Sequence, residues 1–363
     1  MSKLVSIASS NKQPHTHMGH RFPYKGSITP LPKLKPDVTF SRFPVDPEIQ
    51  LGFIHFNYKL RGEVLKKSSE CDFHLDPISI VLPGTATFAT KGATTKATTK
   101  ATTFATKGAT FALEVIECLG GDRSDAPKGR AIGRLVPNTE FRTMEMANVP
   151  GSKLQVEAIV DQSTTMYDCV IGTAVSDGGD RGSDHHDVVQ YIEVLTHRVI
   201  IDNLLRGLAH LKNGGKFVMP IYDSYTTMTW KLFALIQGMF GSTSMVKPIA
   251  TSFVSGRKYI VADGYNKAVG DAVVVVLASL EKKISAAAAT ANTRFMCTLL
   301  DDVSIDHLYP YIHRVNNEIM SNTYRSLNRL NGFLQAGDFY GVEYNRYVSE
   351  MTHNSEQWKS EFI

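Results

Sequence analysis

Leu204, Leu205, Leu208 and Leu211 recur at three- and four-residue steps, which places them on one face of a helix. The spacing predicts that helix over Val188–Leu211, with room for a break near Asp202. Asn213-Gly214-Gly215 supplies the left-handed turn that ends it. Lys216-Phe217-Val218-Met219 then reads as a short strand whose hydrogen bonding stops at Pro220, which has no N–H to donate. A loop, a second helix and a last strand through Lys258-Tyr259-Ile260-Val261 follow. Upstream, the pattern gives a buried strand at Phe111–Ile116, a loop over Leu119–Gly129 and a helix over Arg130–Val136. Short strands follow near Phe141–Met146 and Leu154–Val160, then another at Tyr167–Gly172. Strands alternating with helices predict an open α/β sheet with helices on both faces.

The flanks lack that alternation. Residues 1–48 are rich in Pro, Lys, Ser and His and read as an extended or disordered arm that gains order by lying on something. Residues 49–83 form a lead-in, with an amphipathic helix over 50–70 carrying Lys59, Arg61, Lys66 and Lys67. Within 84–110, Thr87–Thr94 recurs intact as Thr103–Thr110. That repeat is a low-complexity Thr/Ala/Lys insert or, on its two-residue alternation, a hairpin or stacked turns. The α/β domain occupies 111–284. Beyond an Ala-rich linker at Ser285–Ala291, residues 285–363 form a small helical region.

Composition narrows the class without choosing a function. A hydrophobic content of 43% and a charged content of 20% are those of an ordinary globular chain, and a net charge of +4 admits an acidic partner such as RNA without requiring one. Cys71, Cys118, Cys169 and Cys297 are scattered with no CxxC pair, which points to reduced thiols and neither a disulfide framework nor a zinc site. No apolar run reaches membrane-spanning length and the N-terminus has no signal-peptide core, so a cytoplasmic or nuclear protein, or one assembled in a host cytoplasm or virion, with no membrane partner, is expected.

Four pieces occur in a meaningful order: the loop Gly120-Gly121 to Ala126-Pro127-Lys128-Gly129, the strand Tyr167-Asp168-Cys169-Val170-Ile171, the block Leu211–Val218, and the ending Lys247-Pro248 to Gly264. Together they resemble the Rossmann-like S-adenosylmethionine-dependent methyltransferases. More narrowly, they resemble the RNA ribose 2′-O-methyltransferases of the RrmJ/FtsJ and viral cap-methylating type, over roughly residues 110–265. The resemblance implies that Gly120, Gly121, Pro127 and Gly129 cradle the cofactor, with Glu145 on its ribose and Asp161 at its adenine edge. Solvated loop acids are an equal reading of the last two. It also implies a Lys-Asp-Lys-Glu tetrad whose second lysine acts on the ribose hydroxyl. The positions that align with the last three members hold Thr173, Pro220 and Arg257, none of which can substitute. Lys66 or Lys67 stands in for the first lysine, and Asp177 and Asp223 lie near enough in sequence to compensate, though neither restores a lysine. S-adenosylmethionine binding is therefore in doubt.

Asp184-His185-His186-Asp187 suggests a metal, but adjacent histidines point apart and the ligand spacing is missing, so a loop and helix cap is the better reading. His15, His17 and His20 likewise define no metal site. Lys59, Arg181, Lys247 and Lys258 are candidates to line an RNA groove, against ordinary surface charge. The interleaved Tyr309, Tyr311, His313, Arg314, Tyr324, Arg325 and Arg329 suit base stacking or, rather better, packing on a partner subunit. The sequence thus predicts a methyltransferase-fold protein with a degraded tetrad, a non-catalytic structural or RNA-contacting subunit of a viral or other assembly. The alternatives are an active cap or ribose 2′-O-methyltransferase with displaced residues, and a regulatory module that holds the cofactor without transferring its methyl group.

Overall fold

A computed structural model describes residues 60–64, 66–68, 111, 113–119, 131–135, 155–159, 163–173, 185–252, 255–289, 300, 302–337 and 341–362. Its elements are, in order, helices α1 (60–64 and 66–68) and α2 (113–119), then strands β1 (Ala131–Leu135), β2 (Gln155–Ile159) and β3 (Tyr167–Ile171). Next come α3 (His185–Ala209), β4 (Leu211–Tyr222), α4 (Thr227–Met239), β5 (Phe240–Val246) and β6 (Arg257–Tyr265). Helices α5 (Lys267–Ala289), α6 (Tyr309–Ala336) and α7 (Val342–Phe362) complete the chain. The strands form one sheet in the order β2-β1-β3-β4-β6-β5, and only β6 runs against its neighbours. This is a Rossmann-like α/β fold.

Side-chain alternation along the strands divides the core. Phe217, Met219, Ile221 and Ile260 meet Leu204 and Leu208 of α3, Phe233 of α4 and Leu277 of α5 on one face. Val218, Ile171, Cys169, Tyr259 and Val261 meet Phe111, Val115 and Cys118 on the other. A third cluster joins Leu60 and Val64 of α1 to Leu327, Leu330 and Leu334 of α6 and Tyr347 of α7. The Arg329–Glu350 pair and the Phe333–Tyr347 ring contact fold α6 and α7 into an antiparallel hairpin.

Several elements differ from the sequence reading. The expected strand at Phe111–Ile116 is helix α2, and the expected helix at Arg130–Val136 contains strand β1. Residues 113–118 are buried on every side, so no periodicity betrays the helix. Helix α3 is continuous through Asp202 and ends at Ala209. Gly214 adopts φ 77° inside strand β4 and does not cap the helix. Pro220 does not end β4: it lies opposite Tyr259 in the β4–β6 ladder, and the strand runs on to Tyr222. The Ala-rich segment continues α5 as far as Ala289. The arm, the repeat at 84–110 and the expected strand near Phe141–Met146 lie outside the described residues.

Candidate functional site

The carboxyl ends of β1, β3 and β4 and the start of β6 share one edge of the sheet. Strand β1 sends the chain to β2 on one side, while β3 lies on the other, so the crevice between β1 and β3 is the topological switch point where an open α/β sheet binds ligands. Here that crevice is bridged. The Thr173 hydroxyl, just past β3, donates to the Leu135 carbonyl at the end of β1 at 2.9 Å. Asn203 of α3 clamps Thr173 from behind, accepting from its N–H and donating to its carbonyl. The sequence after β1, from Val136 to Pro150, contains no glycine.

The glycine segment assigned to the cofactor enters β1 at its amino end, because it connects α2 to Ala131. In sequence Gly120, Gly121, Pro127 and Gly129 therefore follow helix α2 and precede β1, where the resemblance had them follow a strand. These four, with Glu145, Asp161, Lys59 and Arg181, lie outside the described residues. Asp161 follows β2 in sequence.

Beside the bridged crevice lies a buried charge cluster. Asp223, the residue after strand β4, is held at φ 52° with its N–H on the Gly256 carbonyl at 2.9 Å. Gly256 must lack a side chain, since a Cβ there would stand 2.7 Å from both Asp223 carboxylate oxygens. Arg61 of α1 reaches the same carboxylate with both terminal nitrogens, at 3.2 and 3.4 Å. Burial opposes the Asp223 charge, but Arg61, Lys258 and Lys247 outweigh it and hold the carboxyl below its ordinary range.

Lys258 of β6 is 1% exposed and donates to the Ser224 hydroxyl at 2.8 Å. Its ammonium lies 5.1 Å from the centre of the Tyr225 ring. Burial lowers its pKa to about 8, against the pull of Asp223 and Glu193. Lys247 is half-buried, with its ammonium on the Ser255 carbonyl at 2.6 Å; desolvation first, then Arg61 and Lys258, lower it to about 7. Lys258 thus lies in the interior and not on a surface groove, and the Lys247 ammonium is engaged by a backbone carbonyl.

Two buried carboxylates from α2 complete the cluster. Glu114 accepts from the Tyr259 hydroxyl at 2.5 Å and faces the Arg257 guanidinium at 3.5 Å. Glu117 accepts from the N–H groups of Ile249 and Ala250 and from the Trp358 indole of α7. Burial raises Glu117 to about 7. Across the sheet, Glu193 of α3 accepts from the N–H groups of Tyr225 and Thr226 and from the hydroxyls of Thr226 and Thr229, closing the amino end of α4. His197 meets the same two hydroxyls through Nε2, and burial lowers it to about 3.

Of the positions aligned with the tetrad, Thr173 bridges strands, Pro220 is buried in a ladder and Arg257 pairs with Glu114. Lys66 is exposed and Lys67 half-buried; Arg61 of the same helix is the residue that reaches Asp223. Sequence reasoning missed Arg61, Glu114, Glu193 and Asn316 as members of this cluster. One signal was available for Arg61: it adjoins Leu60 and Val64, the apolar face of α1. Among the described residues, no group of three or more His, Cys, Asp and Glu could hold a metal, and no helix is long and apolar enough to cross a membrane.

No protein-family model matches the chain. It is similar to the cap-specific mRNA (nucleoside-2′-O-)-methyltransferase 1 of mouse, with 24% identity over 144 residues, 39% of this chain and 17% of that protein. The human counterpart shares 23% over the same length, and that of Trypanosoma brucei brucei 27% over 79 residues, 22% of this chain and 21% of that one. The chain thus spans about a sixth of the mammalian relatives it matches. A solved structure titled Alphavirus P23pro-zbd gives a TM-score of 0.25 at 14% identity, covering 38% of this chain and 21% of that one. The similarity to the cap enzymes is distant and partial, and it is methyltransferase-like in kind.

Proposed function

We propose that this chain is a methyltransferase-like protein that has given up methyl transfer and serves as a structural or RNA-contacting subunit of a ribonucleoprotein assembly, viral or cellular. The observation that carries the reading is the Thr173–Leu135 bridge across the switch point, where an aspartate would be expected and a nucleoside would have to enter. Two further features agree with it. A proline ring has no proton to exchange, and it stands where the resemblance calls for a lysine. Arg257 and Glu114 turn the position of the last carboxylate into an ion pair beneath α2.

One observation favours the active alternative. Lys258, with its pKa lowered to about 8, feels both Asp223 and Glu193, a lysine and two acids supplied from displaced positions. It is shut in, however: its ammonium is 1% exposed as a residue, bonded to Ser224, and Asn316 of α6 closes over Ser224. A general base must touch the proton it removes.

Two measurements test the reading. Calorimetry with S-adenosylmethionine and its demethylated product should give no heat at millimolar ligand. Transfer of labelled methyl groups to capped and uncapped RNA should not exceed a protein-free control. Turnover abolished by Lys258→Met or Asp223→Asn would establish the enzyme instead.

A further inference from the structure

The outer face of α5 is apolar where a solvent-facing helix should be charged. Val269, Val275 and Val276 are 38%, 69% and 46% exposed. With Ala268, Ala272 and Ser279 they form one outward stripe, and no charged residue lies between Asp271 and Glu281. The inner face is spoken for: Leu277 and Leu280 are buried, with Val273 and Val274 packed against the core. Four consecutive valines are poor helix formers, because branching at Cβ restricts their rotamers, so an exposed pair gains nothing locally. Glu281 is turned to Arg198 of α3 at 3.2 Å.

The charges at the two ends of the stripe indicate what covers it. Asp271, 61% exposed in its side chain, borders the amino end and holds Lys267 of its own helix at 2.8 Å, an exposed i,i+4 pair weak enough to share its carboxylate; Lys282 and Lys283 border the carboxyl end. At 3.6 residues per turn, Asp271 and Lys282 lie within about 20° of each other around the helix, and so on the same edge of the stripe. A two-fold axis near Val275 and Val276 keeps each residue on its edge while exchanging the ends. It therefore sets Asp271 of one copy opposite Lys282 of the other, at both ends of the contact.

We infer that the outer face of α5 is a self-interface, on which two copies of this chain pair antiparallel through Val275 and Val276. The inference names a partner for the structural reading above and rests on it only for its biological meaning: mass and methyl transfer are measured separately, so either can fail alone. A helix of 23 residues is about 35 Å long, less than a standard interface needs, so a modest affinity is expected.

The test is the mass of the full chain by equilibrium sedimentation from roughly 5 to 200 μM. The mass should rise toward that of a dimer. Val275→Glu with Val276→Glu should hold it at the monomer, with an unchanged circular dichroism spectrum. Asp271→Lys should weaken association about tenfold, and Asp271→Lys with Lys282→Asp should restore it. A monomer at every concentration, or a dimer indifferent to the paired Glu substitutions, overturns the interface. Failure of the double charge swap to rescue overturns the antiparallel register.

Discussion

Asn316 of α6 and Ser224, 92 residues apart in the chain, exchange two hydrogen bonds in the interior: the Ser224 hydroxyl donates to Oδ1 at 2.6 Å, and Nδ2 donates to the Ser224 carbonyl at 2.9 Å. Because Lys258 donates to the same hydroxyl, the C-terminal hairpin is built into the charge cluster. Asn316→Leu removes both bonds at once; the Ser224 carbonyl keeps the Trp230 indole at 2.8 Å and the hydroxyl oxygen keeps Lys258, so the group left without its partner is the hydroxyl proton. It should lower stability by about 1–2 kcal/mol. Urea denaturation would read the loss, with the exposed neighbour Glu318→Ala as a control within about 0.5 kcal/mol of the parent. Equal midpoints for the two variants would mean that the hairpin merely rests on the domain.

Gly256 leaves the space that Asp223 occupies. Gly256→Ala puts a methyl group 2.7 Å from both carboxylate oxygens, and the carboxylate is pinned by Arg61 and cannot retreat freely. The expected cost is about 2–4 kcal/mol, from overpacking and a displaced ion pair. Asp223→Asn tolerates the left-handed backbone but removes the buried negative charge that Arg61 and Lys258 face, for a comparable cost by the other route. Combining the two substitutions should cost less than their sum, since they disturb one contact. Strict additivity in a double-mutant cycle would separate Gly256 from the ion pair.

The architecture was legible where periodicity survives burial. Helix α6 shows it: Ile312, Val315, Met320, Thr323, Leu327, Leu330 and Leu334 form one buried stripe against an exposed back. Helix α2 and strand β1 were exchanged in kind because each is only five to seven residues long and mixes apolar with charged positions, Glu114 and Glu117 in one and Arg134 in the other, so length and pattern cannot tell a buried helix from a buried strand. That exchange moved the cofactor loop to the wrong end of a strand. The charge cluster was largely illegible for another reason. Arg61, Glu114, Asp223, Lys258 and Asn316 come from five elements, and no local spacing announces that their side chains meet.

Lys247 and Lys258 should give the protein an unusual alkaline response. Burial is the first cause of both depressed pKa values, about 7 and about 8, against an ordinary 10.5 in the unfolded chain. Between these limits the unfolded chain binds more protons, so stability rises with pH; it is lost as pH falls through the folded values. Cys118 and Cys169, whose folded pKa values are raised, oppose the gain once the unfolded thiols ionise near 9. The net gain from pH 7.5 to 9 is about 1–2 kcal/mol, after discounting half-buried Lys247. Urea midpoints across that range should climb in the parent and flatten in Lys258→Met. A parent that declines steadily above pH 7.5 would mean that water reaches both ammonium groups.

Glu117 ties α2 to the turn at Ile249 and Ala250 and, through Trp358, to α7, so its protonation should be visible at the end of the chain. Burial raises it from 4.5 to about 7. The folded state therefore holds a proton that the unfolded state has lost, and this contribution is complete below pH 4.5 and gone above about 7. His197, lowered by burial to about 3, has the opposite slope between 3 and 6.5, so the raw profile partly cancels. Comparing Glu117→Gln with the parent isolates the carboxyl. The variant should gain about 2–3 kcal/mol on the parent between pH 5 and 8. Trp358 fluorescence, read in a Trp230→Phe background, should titrate near pH 7 in the parent and lose that step in Glu117→Gln. A step that persists in the variant would assign the titration to another group and detach α7 from the Glu117 proton.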